Sequence, residues 1–386
     1  MGLKCSSCQD NDYDIDFETT SNNEKSEKSN KNPQTISQFK KEQESFNNIF
    51  KSKLPEFGDY YRGDFNKLIP EKIRNMITEN IIDSTRYTLS TRRTFESPPI
   101  EFKNGNIYKG NWNDECEMEG EGIYYLRSEN ALAEGIWEKG ELIGGRIFLP
   151  NDDIYEGEIQ NSIFNGNGKL ICNDGTIYEG NFINGEKNGN FKIFFNDGSK
   201  YFGDYYNENL NGEGEFFWNN GYYYKGNFSN GKLEGKGILK NENSKSEYNG
   251  FFSNNNFEGE GIFKWKNGSF YKGCYHLSKR NGKGFYKDNN GVTYNGNWSE
   301  GKINGLGEFN NGNKIYKCFW RKGEPVEVPS MESNLSISRK ISAEDLNDLF
   351  FVPLDEDIDI SELNFLNRDD FDGNFEPNDN ISTSVL

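Results

Sequence analysis

The chain has 386 residues and a formal net charge of −18, and 33% of its residues are hydrophobic while 15% are aromatic. So few aliphatic side chains cannot fill a deep globular core, whereas large rings beside 42 glycines can cover one face of a thin sheet. The acidic balance excludes the basic footprint of a nucleic-acid-binding protein. No apolar run reaches the roughly 18 residues of a membrane span or forms a signal-peptide core, so we expect a cytosolic chain of small repeated units.

The first eight residues predict an acylation signal. Gly2 and Ser6 match the N-myristoylation pattern M-G-x-x-x-[ST]. Because one myristoyl chain binds membrane only marginally, a second signal is needed, and the first 60 residues offer no polybasic patch, with 8 Lys against 11 Asp and Glu. Cys5 and Cys8 are therefore the predicted palmitoylation sites. The alternatives are a chance match or half of a zinc site, for which no second half is present.

The segment that follows separates this signal from the rest of the chain. Residues 9–60 are rich in Asn, Ser, Lys and Glu without sustained apolar periodicity, which predicts a flexible spacer. Helical spacing of apolar residues predicts one helix near Phe39–Leu54 and another near Pro70–Ile82, behind an N-terminal proline. We therefore expect residues 61–100 to form a helical lead-in.

Residues 101–323 repeat with a period of about 23, which predicts nine to ten similar repeats. In the clearest repeat Tyr224, numbered position 0, is followed by Gly at +2, an aromatic residue at +4, and Gly at +7, +11 and +13, and the repeat that starts at Tyr294 has the same pattern in full. Full-length starts are Tyr108, Tyr155, Tyr178, Tyr201, Tyr224, Tyr248, Tyr271 and Tyr294, with a degenerate start at Ala133 and a truncated one at Tyr316.

The spacing within one repeat predicts a β-hairpin. Positions 0, +2 and +4 share one face of the first strand, and a polar turn occupies about +5 to +10. Positions +11, +13 and +15 then lie in the second, antiparallel strand of the hairpin. Glycine beside aromatic residues allows a ring to lie across the bare backbone. The predicted fold is all-β, an elongated single-layer antiparallel sheet of stacked β-hairpins, with flexible N- and C-terminal segments and one or two short N-terminal helices.

Stacked hairpins of this kind predict a curved ribbon with an aromatic-floored groove. The open strand edges of such a ribbon can pair between molecules, so a dimer or longer assembly is a further expectation. Each groove residue is equally well explained as a packing residue that touches no partner. The candidate partner-binding residues are Tyr108, Trp112, Tyr178, Phe182, Tyr224, Phe228, Tyr294 and Trp298.

The pattern Y-x-G-x-[WF]-x-x-G-x-x-x-G-x-G resembles the MORN (membrane occupation and recognition nexus) repeat, and the run-in before Tyr108 resembles that of protist MORN arrays. Departures from the pattern include Ala133 in place of tyrosine and Phe191 and Cys318 in place of glycine. The resemblance implies roles at the junction of cytoskeleton and membrane, including cilia and cell-division structures.

The sequence predicts no enzyme, cofactor or metal site. His276, at position +5, is expected in an exposed turn without a Ser, Cys or acidic partner. Gly-x-Gly recurs in almost every unit but never in the strand–GxGxxG–helix arrangement of a nucleotide site. The scattered cysteines of the array are consistent with incidental substitution.

The tail, residues 324–386, holds 3 basic against 16 acidic residues. Ser342 can cap a short helix that presents Leu346, Leu349 and Phe350 as candidate partner-binding residues, and it follows a basic pair that suits a kinase. A solubilising tail, or one that folds back over the last edge of the array, is the alternative.

These features predict a non-catalytic scaffold held by acyl chains on the cytoplasmic face of a membrane, either plasma or ciliary. Its expected partners are proteins, a second copy of the chain or phospholipid headgroups, and not nucleic acid. The alternatives are a targeting or regulatory subunit for a separate lipid kinase or other enzyme, and direct phosphoinositide binding by the array. The near-neutral balance of 26 basic and 30 acidic residues in 101–323 weakens the last of these.

Overall fold

The computed structural model describes residues 61–69, 71, 73–74 and 93–326. Several sequence predictions lie outside the described residues and stay predictions. They are the acylation sites Gly2, Cys5 and Cys8, the spacer with its helix Phe39–Leu54, most of the helix Pro70–Ile82, and the tail residues Ser342, Leu346, Leu349 and Phe350.

The described part of the chain is almost entirely β-structure, which confirms the predicted fold class. One open antiparallel sheet contains 22 strands. The residues fall into two compact units, the first ending at Glu208 and the second beginning at Asn209. Each strand inside a unit pairs with its neighbours in sequence, so the chain runs as successive hairpins.

The first unit holds one short helix and eleven strands among its described residues. These elements are α1 (Phe65–Leu68), β1 (Thr94–Glu96), β2 (Ile100–Glu101), β3 (Ile107–Asn113), β4 (Met118–Leu126), β5 (Ala131–Glu138), β6 (Glu141–Phe148), β7 (Ile154–Gln160), β8 (Ile163–Ile171), β9 (Ile177–Ile183), β10 (Glu186–Phe194) and β11 (Lys200–Tyr206). Strands β1 and β2 both pair with β3.

The second unit holds the remaining strands. These are β12 (Asn209–Phe217), β13 (Tyr222–Ser229), β14 (Lys232–Asn241), β15 (Ser246–Ser253), β16 (Asn256–Lys264), β17 (Phe270–His276), β18 (Lys279–Lys287), β19 (Thr293–Ser299), β20 (Lys302–Asn310), β21 (Ile315–Arg321) and β22 (Glu324–Val326). Strand β22 pairs with β21 and extends past the predicted boundary of the array at residue 323.

The hairpin turns are shorter than the sequence suggested. Between β13 and β14 only Asn230 and Gly231, at positions +6 and +7, lie outside the strands, with φ of 48° and 75°. Two positive φ angles are the mark of a type I′ turn, whose twist matches that of the flanking strands. The return strand therefore begins at +8, and the expected turn over +5 to +10 was too wide.

The glycine at +11 forms a β-bulge. Along β13 and β14, Gly226 pairs with Gly237, but the next residue, Asn227, pairs with Glu234, so the return strand holds extra residues at this point. Gly235 lies there with φ of +66°, a conformation that residues with a Cβ rarely adopt. The bulge explains why this position is glycine in the repeat.

The two faces of each hairpin have different roles. We call the side that carries the position-0 tyrosines the ring face and the other side the opposite face. Helix α1, which begins after the N-cap Asp64, packs on the opposite face, where Phe65 and Ile69 contact buried Ile107 and Leu132. The lead-in therefore covers the opposite face of the first hairpins.

Candidate functional site

On the ring face, each tyrosine is bound to the backbone of its own hairpin. The ring of Tyr224 lies across Gly226 and Gly237, and a Cβ placed on Gly237 would stand 2.5 Å from the tyrosine Oη. The hydroxyl donates a hydrogen bond to the carbonyl oxygen of Asn227 at 3.0 Å. Burial, together with the nearby charge of Glu234, raises the pKa of Tyr224 above its usual range, so the phenol stays protonated.

The same arrangement recurs along the repeats, and it explains the glycines at +2 and +13. The other hairpins with this contact are Tyr108 over Gly110 and Gly122 (here at +14), Tyr155 over Gly157 and Gly168, Tyr248 over Gly250 and Gly261, Tyr271 over Gly273 and Gly284, and Tyr294 over Gly296 and Gly307. Their hydroxyl-to-carbonyl distances are 2.8 to 3.2 Å. The expectation that rings lie across bare backbone is confirmed.

The aromatic residue at +4 links each hairpin to the one before it. Phe252 packs edge-on against its own Tyr248 at 5.2 Å between ring centroids and against the preceding Tyr224 at 5.1 Å. Trp298 likewise contacts Tyr294 at 5.5 Å and Tyr271 at 5.1 Å. Edge-to-face pairs of this kind add roughly 0.5–1.5 kcal/mol each beyond the area they bury. The rings therefore form the core of the sheet.

A position that the sequence analysis assigned to the turn, +9, completes this core. Phe164 stacks flat on Tyr155 and Phe257 stacks flat on Tyr248, each with ring centroids 3.7 Å apart. Leu233, in the same place beside Tyr224, has no exposed surface. The apolar residue that recurs nine positions after five of the eight tyrosines was the sequence signal for this role.

The eight candidate groove residues are accordingly packing residues in the structure. Seven are buried to 3% exposure or less, namely Tyr108, Trp112, Phe182, Tyr224, Phe228, Tyr294 and Trp298. The eighth, Tyr178, is half-buried. A partner that reached these rings would first have to displace the side chains that cover them. Their contact with a partner stays a prediction.

The hairpin of Tyr178 departs from the arrangement because Phe191 replaces the glycine at +13. The Phe191 ring lies over Gly180, where an added Cβ would stand 2.7 Å from the ring. Tyr178 instead contacts Tyr205 at 6.0 Å between centroids and lies 4.6 Å from the Nζ of Lys187. Lys187, the +9 residue of this hairpin, forms an ion pair with Glu208 at 2.8 Å, although only 6% of its side chain is exposed.

A second cation occupies position +9 in the Tyr271 hairpin. The guanidinium of Arg280 lies 4.8 Å from the centre of the Trp298 ring and 5.9 Å from that of Tyr271. The side chain is 1% exposed, so the charge lies among rings that attract it through their faces. Cations thus replace the apolar +9 residue in two hairpins without loss of the fold.

The opposite face differs between the two units. In the first unit one row of cross-strand neighbours is apolar from β3 to β10, comprising Ile107, Tyr125, Leu132, Phe148, Ile154, Ile171, Ile177 and Phe194. The α1 segment covers its beginning, while Ile171, Ile177 and Phe194 are half-buried. In the second unit the same row contains Lys240, Glu247 and Lys264, joined by ion pairs of 3.4 and 3.6 Å.

His276 has an acidic partner, contrary to the sequence prediction. Its Nδ1 lies 3.1 Å from Oε1 of Glu258, which the neighbouring hairpin supplies, and the His276 side chain is 58% exposed. Among residues 61–326 that the structure describes, no group of His, Cys, Asp and Glu could hold a metal ion. The same residues include no helix long and apolar enough to cross a membrane. That the protein is not an enzyme stays a prediction.

Comparison with known proteins places the repeats in a family. The MORN repeat model matches residues 155–177, 178–200, 224–244, 248–270, 271–293 and 294–314. Each of these six segments begins at a tyrosine identified above, while the full-length starts at Tyr108 and Tyr201 are not matched. None of the curated proteins matches the chain.

Among solved structures, the matches are weak. The TCP10 domain of Danio rerio CPAP is 12% identical, and the match covers 51% of this chain and 85% of that chain with a TM-score of 0.26. The Drosophila melanogaster SAS-4 (dCPAP) TCP domain, in complex with a proline-rich motif of Ana2 (dSTIL), is 15% identical, with coverage of 40% and 83% and a TM-score of 0.26. TM-scores of this size do not establish a shared fold.

The family is therefore assigned by the repeat itself. Six matched segments share the tyrosine-over-glycine hairpin or, at Tyr178, its variant. MORN repeats are consistent with a membrane-associated module that binds protein or lipid. The chain therefore contains six MORN repeats between residues 155 and 314.

Proposed function

We propose that this protein is a non-catalytic scaffold, tethered to the cytoplasmic face of a membrane, that presents the opposite face of its first unit to a protein partner. The observation that supports the proposal is the apolar row of that face. The row continues through Ile171, Ile177 and Phe194 after the part covered by α1, and these side chains are half-buried. The ring face, in contrast, is occupied by its own packing.

The surroundings of the row fit a protein interface. Phe202 extends the apolar area, with its ring 6.0 Å from that of Phe194. At the margin, Lys169 and Glu179 form an exposed ion pair at 3.5 Å. An apolar centre with a charged rim is the usual anatomy of a protein–protein interface. Since α1 already packs on the same row through Phe65, the row is suited to a second apolar segment supplied by a partner.

The membrane tether in this proposal is the acylated N-terminus. Myristate on Gly2 supplies one chain, and palmitate on Cys5 and Cys8 supplies the second signal that lasting attachment requires. A scaffold held in this way suits a junction between cytoskeleton and a plasma or ciliary membrane. Phospholipid headgroups and a second copy of the chain are further partners within the same proposal.

The test of the tether is fractionation of the tagged full chain from its native cells. We expect the wild-type protein to pellet with membranes and both Gly2→Ala and the double variant Cys5→Ser/Cys8→Ser to become soluble. Equal behaviour of all three proteins would contradict the acylation proposal. Membrane association of all three would point to the repeats as the lipid-binding element.

The test of the interface uses a matched pair of substitutions at the same repeat position, immediately before the tyrosine. Ile177→Asp places a charge in the apolar row. Thr293→Asp places the same charge at the corresponding position of the second unit, where the neighbours are polar. We expect membrane-bound protein to lose its cross-linked partner with Ile177→Asp and to keep it with Thr293→Asp. Equal retention in both variants would contradict a role for the row. Lipid kinase activity that co-purifies with the wild type would instead favour a targeting subunit.

A further inference from the structure

The last hairpin of the second unit carries an exposed apolar group on its opposite face. Leu306 in β20, Phe319 in β21 and Val326 in β22 are cross-strand neighbours. Leu306 is 62% exposed, Phe319 is 40% exposed and Val326 is half-buried. We call these three residues the terminal patch.

The terminal patch is unusual for its place in the repeat. Leu306 and Phe319 occupy positions +12 and +3, which are cross-strand neighbours throughout the second unit. At the equivalent places of the second unit at least one partner is polar or charged in the pairs Glu213–Asn227, Lys236–Phe251, Glu260–Cys274 and Lys283–Asn297. The repeat itself therefore does not require an apolar pair at this position.

Charged side chains of both signs border the patch, with Glu308 opposite Lys317 and Glu324 opposite Arg321 on the neighbouring strands. Lys317 and Arg321 lie two residues before and after Phe319 in the same strand, so they share its face. Both are exposed, and Lys317 keeps 60% of its side chain exposed although it lies 3.8 Å from Glu308. A ligand that fits this surface places apolar side chains on Leu306 and Phe319 and has carboxylates within reach of the exposed Lys317 and Arg321.

The chain itself supplies such a ligand directly after the patch. Residues 327–386 follow Val326 without a break and hold 15 acidic against 3 basic residues. Within them Leu346, Leu349 and Phe350 are interspersed with Asp345 and Asp348. We propose that this part of the tail docks on the terminal patch of the same molecule, with its apolar side chains on Leu306 and Phe319 and its carboxylates toward Lys317 and Arg321.

The length of the connection favours docking within one molecule. A flexible segment of about twenty residues spans roughly 25 Å on average, enough to return to the adjacent strands. Short flexible tethers give effective concentrations of about 1 mM. A contact with a dissociation constant of only about 0.1 mM is then occupied about nine-tenths of the time. A partner that binds the tail has to compete with the patch.

The direct test is photo-cross-linking in the full-length protein with benzoylphenylalanine in place of Phe319. The matched control carries it in place of Phe251, which has the same repeat position, lies in the same unit and is 45% exposed. We expect position 319 to cross-link to residues within 341–366 of the same chain, independently of protein concentration, and position 251 not to do so. Identical products from both positions, or products that appear only between two chains, would overturn the proposal.

A second measurement does not depend on the cross-linker. Leu306→Glu adds a repelling carboxylate to the patch, whereas Phe251→Glu adds one at an exposed position away from it. Limited proteolysis of the full chain is expected to cleave the tail several-fold faster in the first variant than in wild type or in the second. Equal cleavage rates in all three proteins would overturn tail docking. Neither outcome bears on acylation or on the row around Ile177.

Discussion

The hairpins of Tyr224 and Tyr178 show how the repeat tolerates change. In the first, the tyrosine ring lies over Gly226 and Gly237. In the second, Phe191 takes the place of the second glycine and its ring covers the remaining one, while Tyr178 lies beside Lys187. In both hairpins one ring covers the bare backbone, although different residues supply it. Which residue supplies the ring depends on positions +9 and +13 together.

The largest expected effect comes from closing the space under the ring in the regular hairpin. Gly237→Ala places a Cβ against Tyr224 Oη, and overpacking of this kind costs about 2–3 kcal/mol. The measurement is the urea midpoint of the full chain. Gly301→Asn is the control. Gly301 has φ of +81°, which Asn tolerates, and a Cβ added there would have no other residue's atom within 4 Å. Equal losses in both variants would mean that the ring contact is not the cause.

The ion pair of the Tyr178 hairpin gives the next largest effect. Glu208→Gln removes the carboxylate next to the largely buried ammonium of Lys187 and is expected to cost about 1–2 kcal/mol, reduced because Glu208 is 40% exposed. Lys187→Leu gives this hairpin the leucine that the Tyr224 hairpin has at position +9, Leu233. The urea midpoint of this variant is expected to be unchanged or higher. In that background Glu208→Gln should cost nothing. A loss of stability on Glu208→Gln in the Lys187→Leu background would mean that Glu208 stabilises the fold through another contact.

Much of this account was predictable from the sequence, since the tyrosine and glycine spacing fixes the register of each hairpin. Position +9 was missed because Lys187 and Arg280 interrupt its apolar pattern and because it follows a polar turn. The pair of His276 and Glu258 could not be predicted, since the two residues meet only when neighbouring hairpins are placed side by side. The apolar row of the opposite face depends on the same cross-strand register.

A smaller effect is expected from the tyrosine hydroxyl. Tyr224→Phe keeps the ring over the glycines and removes the hydrogen bond to the Asn227 carbonyl, at a cost of about 1 kcal/mol. The urea midpoint measures the loss, and the control is Tyr223→Phe, whose hydroxyl is hydrogen-bonded to the Glu215 side chain at a partly exposed position where water can replace it. A loss as large as that of Gly237→Ala would show that the hydroxyl, and not the ring, holds the hairpin.

The smallest effect concerns chemistry and not stability. Burial raises the pKa of the Cys172 thiol, near Tyr178, to about 12. At pH 8 roughly one thiol in 10⁴ is then ionised, so alkylation of native protein should be slow at Cys172 and faster at exposed Cys116. Raising the pH toward 10 should increase the rate at Cys172 in proportion to hydroxide. Equal rates at both cysteines at pH 8 would contradict the burial of this site.

The most direct test of the central claim, that a ring laid over glycine holds the regular hairpin, is a double-mutant cycle of Tyr224→Ala and Gly237→Ala in the full chain, measured by urea midpoint. If the ring and the glycine are coupled, the alanine at 237 costs little once the ring is gone. The account predicts that the two losses fall short of additivity by at least about 1 kcal/mol. Additive losses would show that Tyr224 and Gly237 act separately and would contradict the account.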